Sequence, residues 1–439
     1  MSKIFLTFDQ MIKSLRETIK TFPDMRRGKN SFYSMQDAAS GAFSVFFTQC
    51  PSFLAHQKAM EKAKGKSNAK TLFKIEKIPT DNHIRTLLDP VSPELIFPAF
   101  GQCHQALNDS GHLDEFRIFN GDLLIVFDGT QYFSSKTICC KNCSTKKHKD
   151  GSITYSHSVV TPVIVAPGQN KALPLEPEFI VPQEDGHDKQ DCENAATKRW
   201  LDSHGKKYSE MGATVSGDDL YCKQPLCEKF LTAGFNFILV CKPDSHKTLY
   251  EWVEGLEEGV GRHTFIIGRW NGRCREIYTY RYANKVPLRD GDDALLVSWC
   301  ELTITTEEGE VLYKNAFAAN HRITDKNVEA IVECGRARWK VENENNNTLK
   351  TKGYHLEHNY GHGKENLSAV LVTFILLSFL FHTLLEFMDR KYRLIRKELP
   401  SRKTFFDDIR ALTRYICFDS WDALMNIMLE GLELKLEPG

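Results

Sequence analysis

Three observations predict an α/β protein: a mixed sheet flanked by helices, with an N-terminal helical domain and an inserted β-rich subdomain. Two short apolar runs, residues 122–127 and 213–217, finish on Asp128 and Asp218, the pattern of buried strands with an acid at the carboxyl end. A proline-free stretch from Asp325 has helical composition and carries Arg338 and Glu342 four residues apart, on one helical face, so that a carboxylate lies beside a guanidinium. Between Asp218 and Glu342, β-branched and aromatic runs alternate with Gly, Asp and Asn turns.

In chain order, residues 1–115 read as helical, with a capped helix over 80–89 stopped by Pro90. Within them Lys58, Lys62, Lys64, Lys66, Lys70, Lys74 and Lys77 make a basic run, either a solvated helical face or a track for a DNA backbone. Residues 155–166 predict a strand pairing back on the Asp128 strand, and 184–204 a helix with Trp200 and Leu201 inward. The Asp218 strand, a further helix and a strand over 235–240 complete the order of a ribonuclease-H-like core, spanning 116–260 and 325–385. Residues 261–324 form the β-rich insertion, with strands expected at 264–267, 276–280, 295–299 and 302–305. Trp270, within it, reads as a core aromatic or a stacking platform for DNA. Residues 367–385 carry no formal charge, so the stretch is either a helix buried on several sides or a membrane span; burial against the sheet is the reading adopted. Residues 386–439 read as a helical C-terminal region opening on a second basic cluster.

Metal chemistry has two candidate locations. Asp128, Asp218 and Glu342, brought to one sheet edge, are hard oxygen donors able to hold two magnesium or manganese ions against a phosphodiester. Asp219 and Glu344 are the substitutes should either neighbour face away. Cys140 and Cys143 have knuckle spacing, and His148 and His157 can complete a structural zinc site; free thiols on a hairpin are the competing account. Lys146 and Lys147, with Lys136, Lys141 and Lys149, place positive charge close in sequence to Asp128.

These residues resemble a family. The run 127–130 around Asp128, Asp218 with Tyr221, and the run 338–342 are similar to the three acidic motifs of insertion-sequence DDE transposases, in the large group with a β-rich insertion before the final Glu. The flanking runs 189–193 and 356–363 are similar to that group as well. This chain has Gly335 where the family often has Tyr, and Leu349 where it has Lys, with Lys350 next. The resemblance implies an enzyme that cuts and joins DNA strands at element ends. Asp128, Asp218 and Glu342 would be catalytic and metal-binding; Arg338 and Lys350 would contact double-stranded DNA, and a homodimer would hold paired ends. It also implies an insertion lying over the active site. His355, His358 and His362 are read as orienting the carboxylates, contacting DNA, or capping turns around Gly361 and Gly363.

Composition sets the bounds on these readings. With 439 residues, 41% hydrophobic and 26% charged, the chain can bury more than one core. A formal net charge of zero excludes a uniformly basic nucleic-acid binder and requires positive charge to be clustered. The opening residues mix Lys, Asp, Arg and Glu in an amphipathic pattern unlike a secretory signal. Thirteen cysteines, an odd number, predict mostly free thiols, a reducing compartment and a cytoplasmic protein without a membrane. A catalytically inactive, zinc-stabilised DNA-binding protein derived from a transposase is the alternative function.

Overall fold

The computed structural model describes residues 7–26, 32–61, 67–182 and 191–436. Lys62, Lys64 and Lys66 of the basic run, and the start of the helix expected from residue 184, lie outside them. The strands are β1 Leu123–Val126, β2 Gly129–Ser135, β3 Ser144–Lys147, β4 Ile153–Val160, β5 Val163–Val165, β6 Leu173–Pro174, β7 Glu178–Ile180, β8 Ala213–Gly217, β9 Asn236–Val240, β10 Arg262–Trp270, β11 Arg275–Pro287, β12 Leu296–Thr306 and β13 Val311–Ala319. Nine of them make one mixed sheet in the order β10-β11-β12-β13-β9-β8-β1-β5-β6. β8 runs parallel to β1 and β9 parallel to β8, while β5 and β6 return antiparallel on the other side.

The fully apolar sequence of β1 follows from its central place, with packed side chains on both faces. Leu123, Ile125 and Phe127 face one core with Trp200 and Phe230, and Leu124 and Val126 face another with Ile331 and Val332. Numbering the helices in chain order from the N-terminus, the first core is closed by α7 (Glu193–Ser209) and α8 (Gln224–Thr232), the second by α10 (Val328–Arg336). Phe127 meets the Trp200 ring edge-on at 5.1 Å.

Several expected elements differ in detail. The single strand expected over 155–166 is broken between β4 and β5, where Pro162 supplies no backbone N–H and the Thr161 N–H instead donates to the Asp128 carbonyl at 3.0 Å. The two runs at 295–299 and 302–305 are one strand, β12. Between them Cys300 packs in the core, and Glu301 stays in the ladder because Arg281 and Lys314 pair with its carboxylate. The β-rich region adds to the edge of the main sheet through β13 on β9. Trp270 is 70% exposed at the end of β10, so it is no core residue.

Helices from both ends of the chain form a second body around α12 (Leu367–Met388). They are α1 (Phe8–Ile19), α2 (Met35–Phe47), α3 (Phe53–Glu61), α4 (Asn68–Phe73), α5 (Asp81–Leu88) and α6 (Phe97–Asp109) before the sheet. The short α9 (Lys247–Gly255) and α11 (Asn347–Thr351) intervene, and α13 (Arg390–Glu398), α14 (Arg402–Tyr415) and α15 (Trp421–Gly431) follow. Within α12, 89% of the most apolar window is buried, which accounts for the uncharged stretch as the axis of a helical layer. Its buried histidine is satisfied there: His382 Nδ1 is 2.5 Å from Tyr354 Oη, and the other ring nitrogen lies 2.9 Å from the Phe47 carbonyl.

Candidate active site and Cys/His cluster

Asp128 follows β1 and Asp218 follows β8. Parallel pairing of the two strands, with Val126 opposite Ser216, sets both carboxylates at the carboxyl edge of the sheet. The Asp128 carboxyl is raised to about 7, first by burial and then by the negative charge of Glu193. Arg338 opposes the shift; Asp218 and Glu342 add to it. Glu193, Asp218, Glu342 and the Arg338 guanidinium thus all act on the Asp128 carboxyl.

Asp128, Asp218 and Glu193 are each held by their surroundings, whereas Glu342 is exposed. Asn346 donates to Asp128 Oδ2 at 2.8 Å, and Asn346 Oδ1 accepts from Thr161 and from Asn345. Asp218 closes a turn, its Oδ1 accepting the Leu220 N–H at 2.8 Å. Glu193, the first residue of α7, accepts from Tyr221 Oη at 3.1 Å. Its carboxyl is also raised by burial, with the Tyr221 and Gly129 hydrogen bonds opposing. Glu193 comes so near the chain at Gly129 that a Cβ there would lie 2.3 Å from its Cδ.

The segment bearing Glu342 departs from the expected continuous helix. α10 ends at Arg336, residues 337–338 form a turn, and Val341–Asn346 is a π-helical turn. The wider turn carries Asn345 and Asn346 into the interior beside Val341, where Asp128 and Thr161 satisfy Asn346. Among the described residues Arg338 and Glu342 make no ion pair, which corrects the expected carboxylate–guanidinium contact; the altered helical register removes the regular one-turn spacing that contact required. Asp219 is committed elsewhere: its Oδ1 accepts the Lys242 N–H at 2.7 Å and lies 3.3 Å from His246. Glu344 lines a separate cavity of about 410 Å³ with Glu386, Arg402 and Lys403. Lys350 pairs with Glu357 at 2.9 Å. Lys146 and Lys147 are exposed on β3, in the small sheet β2-β4-β3 that continues from the Asp128 strand.

That small sheet also carries a Cys/His cluster able to hold a metal: Cys140, Cys143, His157 and His362. The sulfurs are 3.9 Å apart, each lies 3.5 Å from His157 Nε2, and Cys143 Sγ is 3.7 Å from His362 Nε2. His148 is not in the cluster. It is exposed at the far end of the hairpin, with Nε2 2.8 Å from Thr154 Oγ1, because the β3–β4 register carries it past the knuckle. The fourth donor is His362, far away in sequence.

Sequence reasoning thus passed over three residues as site members: Glu193, Asn346 and the metal-ligand role of His362. Glu193 and His362 stand in the flanking runs that carried the resemblance. Asn346 lies in the polar run 342–347, whose asparagines are unfavourable in a regular helix interior. No protein-family model matches the chain, and none of the curated proteins searched matches it.

Proposed function

We propose that the protein is a DNA transposase of the insertion-sequence DDE class, cutting and joining strands at the ends of its element. The observation that carries this reading is that Asp128 and Asp218 end neighbouring parallel strands and that the charges of Asp218 and Glu342 both help to raise Asp128. The order β6-β5-β1-β8-β9, with β5 antiparallel and β8 and β9 parallel, resembles that expected of a ribonuclease-H-like core and supports the same reading.

The donor set fits hard divalent cations: the three acids offer carboxylate oxygens, and the crowded negative charge around Asp128 is what a cation relieves. Magnesium or manganese bound by Asp128, Asp218 and Glu342 would supply the activation of the attacking hydroxyl and the stabilisation of the leaving oxygen of a phosphodiester. The chain's own groups prepare that site. Asn346 fixes the Asp128 rotamer through one oxygen, and Tyr221 fixes Glu193. Arg338, without an ion pair among the described residues, is available to grip a backbone phosphate through two N–H groups. Lys136, Lys141, Lys146, Lys147 and Lys149 are exposed on the adjoining small sheet and give double-stranded DNA a positive approach in a chain of zero net charge. Lys350 reaches DNA only by leaving Glu357. A homodimer on paired ends and a structural zinc at the Cys/His cluster belong to this reading.

The Cys/His cluster equally suits a zinc-stabilised DNA-binding protein without catalysis, and cleavage separates the two. The assay is cutting and joining of a labelled oligonucleotide bearing the element's end, with magnesium or manganese, for wild type and Glu342→Gln. The expected result is cleavage by wild type that Glu342→Gln abolishes while DNA binding persists. Binding by both with cleavage by neither would leave the non-catalytic reading in place.

A further inference from the structure

We infer that Cys140, Cys143, His157 and His362 form a four-coordinate zinc site that clamps the β2–β4 hairpin to the chain beyond the Glu342 turn. The assignment rests first on shape. A tetrahedral zinc with ordinary bond lengths sets its sulfurs about 3.8 Å apart and each sulfur about 3.5 Å from a ligand nitrogen. The cluster has 3.9 Å between sulfurs and 3.5, 3.5 and 3.7 Å between sulfur and nitrogen, with all four ligand atoms within 4.8 Å of one another. Two thiols and two imidazoles suit zinc and give magnesium none of the oxygen ligands it prefers.

The surroundings are those of a built site. Cys143 and His157 are buried. The knuckle turn is closed by the Cys143 N–H donating to the Cys140 carbonyl at 3.2 Å, and the Cys140 N–H donates to Cys143 Sγ at 3.4 Å. His157 hydrogen-bonds the Asn142 backbone and stacks on Tyr132 at 5.7 Å, which fixes the ring plane. His362 is packed 4.4 Å from the Phe133 ring. Asn142 Nδ2 donates to the Glu365 carbonyl at 2.7 Å, a second tie between the same two segments.

The position gives the clamp its purpose, and this part rests on the proposed transposase reading. β2 starts at the residue after Asp128, and β4 ends beside Thr161, whose N–H donates to the Asp128 carbonyl. His362 lies on the chain that continues from the π-turn carrying Glu342 and Asn346. The metal therefore joins the Asp128 side of the acid cluster to the Glu342 side through the hairpin. His362 is a positioning residue: it touches no reacting atom.

The test uses the full-length protein purified without added metal. Zinc is counted by mass spectrometry, and cobalt(II) is exchanged in to read thiolate coordination by its tetrahedral visible bands and sulfur charge-transfer absorption. One zinc per chain is expected. His148→Ala should keep it, His362→Ala should weaken zinc binding at least about tenfold, and His362→Cys should restore it. Circular dichroism of each variant guards against global unfolding. A wild-type protein with neither zinc nor a cobalt–thiolate spectrum would overturn the assignment. So would loss of zinc in His148→Ala with retention in His362→Ala. Zinc binding with no strand cleavage leaves the clamp standing and counts against the transposase reading alone.

Discussion

Replacing Asp128 by Asn should remove catalysis and at the same time stabilise the fold when no divalent cation is supplied. The Asp128 carboxyl is raised from about 3.8 to about 7, by burial and then by Glu193. Between those values the folded protein holds a proton that the unfolded chain has released. Stability therefore falls with rising pH by about 1.4 kcal/mol per unit, and the full loss is present above pH 7. The shift of roughly three units corresponds to an upper figure of about 4 kcal/mol, which sharing of charge among the four acids reduces to about 2–4 kcal/mol. Asn carries no charge at any pH, and its carbonyl oxygen can still accept from Asn346 Nδ2, as Asp128 does at 2.8 Å. The assay is thermal unfolding of both proteins at pH 5 and pH 8 without added magnesium or manganese. The variant should melt a few degrees higher than wild type at pH 8, and the difference should shrink at pH 5. Magnesium should raise the wild-type Tm at pH 8 and leave the variant nearly unmoved. A variant that melts lower than wild type at pH 8, with the same pH dependence, would refute the raised Asp128 carboxyl on which this reasoning rests.

Gly129→Ala should push aside the Glu193 carboxyl that its Cβ would overlap, breaking the Tyr221 hydrogen bond at a cost of about 1 kcal/mol and reducing strand cleavage; denaturant unfolding and a cleavage assay on the same preparation check both, and unchanged stability with unchanged cleavage refutes the contact. Asp89→Ala removes the carboxylate that accepts the N–H groups of Lys364, Glu365 and Leu367 at the start of α12, for a loss of about 1–3 kcal/mol. Because those residues lie two to five positions after His362, zinc release to a chelator should also be faster in this variant, and an unaltered release rate would separate the cap from the clamp.

The acids that end the two buried strands were legible because they rest on short-range pattern: an apolar run exposes its last residue, and parallel pairing of β1 and β8 then aligns Asp128 with Asp218. The helix over 367–388 was legible in composition, though its burial depended on neighbours that periodicity does not name. What escaped was set by tertiary register. A π-turn at Val341–Asn346 leaves no mark distinct from a polar helix, yet it decides that Asn346 and not Arg338 contacts its acid partner. The metal cluster failed in the same way at one position. Cys140, Cys143 and His157 are neighbours along a hairpin, but the choice between His148 and His362 depends on strand register and on a chain segment more distant than any spacing rule spans.

The meeting of the chain's two ends also has a consequence for synthesis. Phe8 stacks on Trp421 at 4.4 Å, Asn68 donates to the carbonyls of Thr413 and Ile416, and Arg410 donates to those of Thr48 and Gln49. During translation the apolar α12 leaves the ribosome before the helices that cover its far side exist. A chain arrested or cleaved ahead of residue 390 would still pack α12 on α2, α5 and α6 but would leave bare the side that α13 covers, and that apolar face would be a substrate for chaperones.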